Sequence, residues 1–212
     1  MRKMTLAVVV LMVFAVAASA NGVCVVGNNV LALNFSCSVG GLLFSNFGAQ
    51  GNAGYLGLPA SIGITSVVTG GEIELGFAPA PAMDWAVGGL PDDMYFWFRV
   101  RGTHLGVDLH NLGTGETSIG ERVCDAAGVT AGGSCLGTQI LMLPAAASNV
   151  EVEALYATPQ SDVWIWKDVG ITGETGHISS FEQSFMIPEP VTLGLIGVGL
   201  LALGLLRRRL KK

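Results

Sequence analysis

Basic residues are scarce through most of this chain. Of the eleven lysines and arginines in 212 residues, only Arg99, Arg101, Arg122 and Lys167 fall between positions 21 and 187. Fifteen of the sixteen acidic residues share that stretch, so its formal charge is −11, against −5 for the whole chain. Such a segment is excluded as a nucleic-acid binder, whose affinity comes from lysines and arginines neutralising phosphates. The acidity suits solubility outside a cell, and it is compatible with calcium without pointing to it. Metal-type cysteine spacing is lacking too. Cys24, Cys37, Cys124 and Cys135 form no Cys-x-x-Cys pair and join no histidine at zinc-finger spacing, which argues against a zinc module. There is no Gly-x-Ser-x-Gly elbow, no phosphate-binding loop ending in lysine and no His-Glu-x-x-His. Those absences remove the familiar signatures of serine hydrolases, nucleotide hydrolases and zinc proteases. No apolar helical period lasts beyond about two turns between 21 and 187, and no internal repeat of about 20–50 residues is visible. The expectation is a protein without intrinsic catalysis, without catalytic residues and without cofactor or metal.

What the chain does have is glycine, 30 in all, separating short runs of β-branched and aromatic residues. Strands are expected at 30–36, 41–46, 61–68, 72–77, 94–101, 106–109, 118–124, 139–143, 150–156, 163–171 and 178–186. Alternation is clearest in three of them, the third being 178–186, where Ile178, Ser180, Glu182 and Ser184 oppose Phe181, Gln183 and Phe185 only in part. Tyr95, Trp97, Arg99 and Arg101 share one face, with Phe96, Phe98 and Val100 on the other. Trp164, Trp166 and Asp168 oppose Val163, Ile165 and Lys167. The segment 77–82, with Pro79 and Pro81, reads as a crossing loop rather than a strand interior. Many short strands in one domain of 167 residues (21–187) predict an all-β fold, a two-sheet β-sandwich for which a jelly roll is one fitting topology.

Four cysteines in an exported domain predict disulfides. Three pairings exist. Spacing favours two local loops, Cys24–Cys37 and Cys124–Cys135, each stabilising by about 3 kcal/mol on chain-entropy grounds.

Export itself is read from the ends of the chain. Arg2 and Lys3, an apolar run over 6–17 and Ala18-Ser19-Ala20 form a secretory signal peptide (residues 1–20), with cleavage expected between Ala20 and Asn21. At the other end, Pro188-Glu189-Pro190 precedes sixteen uncharged residues, 191–206, and then Arg207-Arg208-Arg209-Leu210-Lys211-Lys212. As a helix, that run is about 24 Å long, a little short of a hydrocarbon core of about 30 Å, a gap that snorkelling arginines and local thinning cover. The basic end places the C-terminus in the cytoplasm.

The combination over 188–212 resembles the PEP-CTERM sorting signal of Gram-negative bacteria. That resemblance implies recognition by exosortase, an integral-membrane transpeptidase-like enzyme, and delivery to the cell surface or the extracellular polysaccharide matrix. It assigns Pro188, Glu189 and Pro190 as the recognition element and Arg207, Arg208 and Arg209 as the retention element. Partners implied are signal peptidase and exosortase during export, the inner membrane transiently, and extracellular polysaccharide. A structural or adhesive role is the expectation. The alternatives are a carbohydrate-binding module that retains exopolysaccharide and a glycan-acting enzyme.

Several side chains invite chemistry. Trp85, Tyr95, Trp97, Trp164 and Trp166 offer flat apolar rings for sugar stacking, with Trp97 and Trp166 the foremost glycan-binding candidates because charged residues share their faces; the same rings serve equally as core. His104, Asp108 and His110 have even spacing, which on a regular strand places them together as metal ligands or as edge residues. Asp92 and Asp93 sit in a turn. Glu72 and Glu74, and Glu151 and Glu153, are pairs that point the same way on a strand; they read as polar faces or as carboxylates for glycoside hydrolysis.

Overall fold

A computed structural model of the chain describes residues 22–51, 58–84 and 92–188. The signal-cleavage pair Ala20 and Asn21, Trp85, Glu189, Pro190, the segment 191–206 and Arg207, Arg208 and Arg209 lie outside the described residues. The described chain is all-β. Its strands are β1 (Gly22–Val23), β2 (Asn28–Asn29), β3 (Ser36–Val39), β4 (Leu42–Gly51), β5 (Ser61–Thr69), β6 (Glu72–Ala80) and β7 (Met83–Asp84). They continue with β8 (Asp93–Asn111), β9 (Thr117–Cys124), β10 (Gln139–Ala147), β11 (Val150–Ile171), β12 (His177–Ile178) and β13 (Phe181–Met186).

Two long strands organise the whole. β8 and β11 pair antiparallel along nearly their full length, Val150 opposite Asn111 at one end and Gly170 opposite Asp93 at the other. Their first and second halves then take different neighbours. The 93–101 half of β8 pairs with β4, and the 164–171 part of β11 pairs with β9, which carries β10. That gives one layer, β3-β4-β8-β11-β9-β10. The 106–110 part of β8 pairs instead with β13, followed by β6, β5 and β2. That gives the second layer. All these pairings are antiparallel; the short β1 joins β3 in parallel.

The layers face one another across phenylalanines. Phe44 and Phe98 of the first layer lie 5.3 and 6.3 Å from Phe185 of the second. Phe96 lies 5.9 Å from Phe181, and Phe77 lies 5.5 Å from Phe98. The result is a sandwich-like core built from alternate residues of strands whose other face is polar. The alternation in 94–101 survives intact: Met94, Phe96, Phe98 and Val100 are buried, while Tyr95, Trp97, Arg99 and Arg101 point outward.

The structure departs from the sequence reading where strands bend. The expected pairs 94–101 with 106–109, and 150–156 with 163–171, are each one strand. In β8 the bend falls at Gly102, with φ at 123°. A Cβ there would stand 2.7 Å from the Gly41 carbonyl oxygen, so glycine lets the strand turn between layers without ending. In β11 the pairing register shifts between Leu155 and Asp162. The expected strand at 30–36 is mostly turn. Asn29 Oδ1 accepts the Leu31 and Ile62 amides, and Asn34 takes a left-handed φ of 59°, so side-chain hydrogen bonding replaces a ladder. Conversely β6 runs through Pro79 to Ala80. Ile62, opposite Pro79, directs its amide to Asn29 and its carbonyl to Val30. Pro79 therefore occupies a pair with no ladder bond to lose, and β13 on its other side reaches only as far as Phe77.

Candidate functional site

The outer face of the first layer carries the aromatic platform. Cross-strand register sets Trp97 beside Trp166 and Trp166 beside Arg122, and it sets Arg99 beside Trp164. Tyr95 packs on Trp166 with ring centres 5.1 Å apart. Arg99 lies over Trp164 at 5.9 Å and Arg122 over Trp166 at 5.7 Å, the geometry of cation–π contact. Arg99 also grips Asp162 through two hydrogen bonds of 2.7 and 2.6 Å.

Trp97 and Trp166 differ sharply in access. Trp166 is 8% exposed. Its indole N–H donates to the Ala131 carbonyl at 2.9 Å, and Gly133 presses so close that a Cβ would meet the ring at 2.7 Å. The loop between Cys124 and Cys135 forms this cover. It is closed by the Cys124–Cys135 disulfide, while Cys24–Cys37 joins the first segment to β3. Both local pairings favoured by spacing are thus present. Asp125 holds the base of the loop, accepting from Ala127 and Thr138 amides at 3.1 and 2.7 Å, which lowers the pKa of its carboxyl. Trp97 and Trp164 remain half-buried, and Gly48 leaves room for the Trp97 ring, which a Cβ would meet at 2.5 Å.

The outer face of the second layer is a carpet of carboxylates. Register aligns Glu74, Ser184, Asp108 and Glu153 in one row across β6, β13, β8 and β11. The next row holds Glu182, His110 and Glu151. The expected pairs Glu72/Glu74 and Glu151/Glu153 do share this face. Asp108 hydrogen-bonds Ser184 and Glu72, and its burial, followed by the nearby Glu72 and Glu151 charges, pushes it up to about 7. Glu74 is raised as well, by burial first and then by Glu182 and Glu72. His110 stands 3.3 Å from Glu182.

His104 does not join them. The bend at Gly102 turns it into the core, where its ring meets Tyr156 and Phe185 edge to face at 5.3 and 5.6 Å. Its Nδ1 bonds the Gly102 carbonyl at 2.8 Å, and burial lowers its pKa. The even spacing of His104, Asp108 and His110 assumed an unbent strand, and that assumption fails. Among the described residues no three His, Cys, Asp or Glu are placed to hold one metal ion. Asp92 accepts the Asp84 amide at 3.0 Å, and Asp93 lies beside Asp168, an exposed residue whose partial desolvation and carboxylate neighbour raise it to about 6.

A third group was not singled out by sequence. Lys167 and Gln183 are wholly inaccessible and Glu121 is 2% exposed. Lys167 Nζ reaches Glu121 Oε2 and Gln183 Oε1, each at 2.5 Å. Alternation already grouped Lys167 with Val163 and Ile165, but it could not say which strands would face it. No protein-family model and no curated protein matches the chain.

Proposed function

We propose that this is an exported, exosortase-processed protein whose β-domain serves a structural or adhesive role at the cell surface or in the extracellular matrix, without catalysis of a substrate. The observation that carries this reading is the junction between domain and tail. β13 ends at Met186, Ile187 donates the last backbone bond among the described residues, to Gly71 at 2.8 Å, and Pro188 is exposed directly after it. Pro188, the first residue of the Pro-Glu-Pro element, is therefore exposed while the domain stays folded. Two disulfides within an acidic body support an oxidising destination.

The test is the intact mass and cellular location of the mature protein with and without exosortase. The expected product lacks residues 1–20 and the segment after Pro190 and leaves the inner membrane only when exosortase is present. A product keeping 191–212 in the inner membrane in both strains makes this a simple anchored protein.

The second reading, a module retaining exopolysaccharide, is favoured by half-buried Trp97 and Trp164 standing beside the Arg99–Asp162 pair. Sugar stacking there would rest on Trp97, because Trp166 lies under its loop. Trp97→Ala should abolish retention on matrix glycan columns while leaving the melting profile cooperative. Equal retention of wild type and variant, or none by either, removes this reading.

A further inference from the structure

We propose that Lys167 and Gln183 become joined by an intramolecular isopeptide bond, with Glu121 carrying the protons. The three side chains converge between the layers from three strands. Lys167 of β11 and Glu121 of β9 are direct cross-strand partners, and Gln183 reaches them from β13 in the opposite layer. Their neighbours two residues away, Ile165, Val169, Ile119, Val123, Phe181 and Phe185, are all inaccessible to solvent. Such a site excludes water, which otherwise solvates the amine.

An amine attacks a carboxamide only when it is uncharged. Burial provides that condition here, pushing the Lys167 ammonium down and the Glu121 carboxyl up, toward a neutral pair that shares one proton. Glu121 Oε2 is in contact with Nζ, and its Oε1 has no hydrogen-bond partner, leaving it free for proton transfer. Gln183 is held beside the amine. Its Oε1 faces Nζ, and its Nε2 donates to the Asp108 and Ser184 carbonyls at 2.6 and 3.2 Å, which fixes the amide in place.

The step balances without any further reactant. The Nζ electron pair bonds to Cδ of Gln183 as the carbonyl electrons move onto Oε1. Glu121, holding the proton released by the ammonium, passes it to Nε2. The carbonyl re-forms, the Cδ–Nε2 bond breaks and ammonia leaves. Glu121 then takes the remaining extra proton from Nζ. One amide has replaced another, nothing is oxidised or reduced, and β13 is tied covalently to the opposite layer.

The test is the intact mass of the full chain after export, with both disulfides formed, together with peptide mapping. The expected mass is lower than the disulfide-bonded sequence by one ammonia, trypsin fails to cut after Lys167, and a branched peptide joins Lys167 to Gln183. Lys167→Arg, Gln183→Ala and Glu121→Gln should each restore the missing ammonia. Wild-type protein that keeps its ammonia and yields only linear peptides overturns the proposal whether or not the variants fold. Loss of ammonia that persists in Gln183→Ala places the loss elsewhere and overturns it too. A branched peptide in Glu121→Gln would remove Glu121 from its role.

Discussion

Asp108 is 4% exposed, and the charges that act on its carboxyl include those of Glu72 and Glu151. Ionising it costs free energy in the folded chain that it does not cost in the unfolded one. Its pKa rises from an ordinary 3.8 to about 7. Between those values the folded state binds more protons than the unfolded state, so stability falls as pH rises through that window. Asp168, raised to about 6 beside Asp93, acts in the same direction. Thermal melts should therefore move upward as pH is lowered from about 8 to about 5, the opposite of a domain held by carboxylate salt bridges. Asp108→Asn should raise stability at the high end by on the order of 1–2 kcal/mol, after discounting for solvent at the open side of the sheet, and it should flatten the slope. A melting temperature that falls on acidification across this range would show that the acidic face is held by something other than shared protons.

At the scale of elements, a bend and a loop are the sensitive parts. Gly102→Ala forces a Cβ against the Gly41 carbonyl at a left-handed φ. It should cost on the order of 1–3 kcal/mol, read by chemical denaturation. Opening the Cys124–Cys135 bridge by paired serine substitution should cost about 3 kcal/mol and free the loop that covers Trp166. Tryptophan emission should then shift to the red before global unfolding, and an unchanged spectrum would mean that Ala131 and Gly133 hold the cover unaided. These elements also mark what could be read in advance. Alternation assigned the faces of 94–101 and 163–167 correctly, because burial on one side of a pleat imposes a period of two. Local disulfides followed from short spacing. Neither period nor spacing reveals the glycine that bends β8 without stopping it or the register shift that β11 runs through between Leu155 and Asp162. Each of these long strands therefore reads as two, and His104 falls into a group with Asp108 and His110. The same blindness hid the site at Lys167, since a residue pattern names the face but the register names the partner. Only the placement of β13 opposite β9 and β11 brings Gln183 to Glu121 and Lys167.

On the scale of the whole molecule, order in the chain and order in space conflict in an informative way. Among the described residues β13 is the last strand to be made, yet it lies inside the second layer between β8 and β6. Without it, those two strands have unpaired facing edges, and Phe181 and Phe185 vanish from contacts with Phe44, Phe77, Phe96 and Phe98. Truncating one buried phenylalanine costs about 3–5 kcal/mol, so losing two together with a central ladder consumes most or all of the roughly 5–15 kcal/mol that holds a domain. A chain ending before Phe181 should show no cooperative melt and should bind hydrophobic dye. A chain ending at Pro188 should melt like the full body, because nothing beyond Ile187 contributes to the ladder among the described residues. The proposed sorting at Pro-Glu-Pro would then act on a domain that is already complete. Cooperative melting of the chain that stops before Phe181 would instead mean that the first layer folds alone and that β13 docks afterwards.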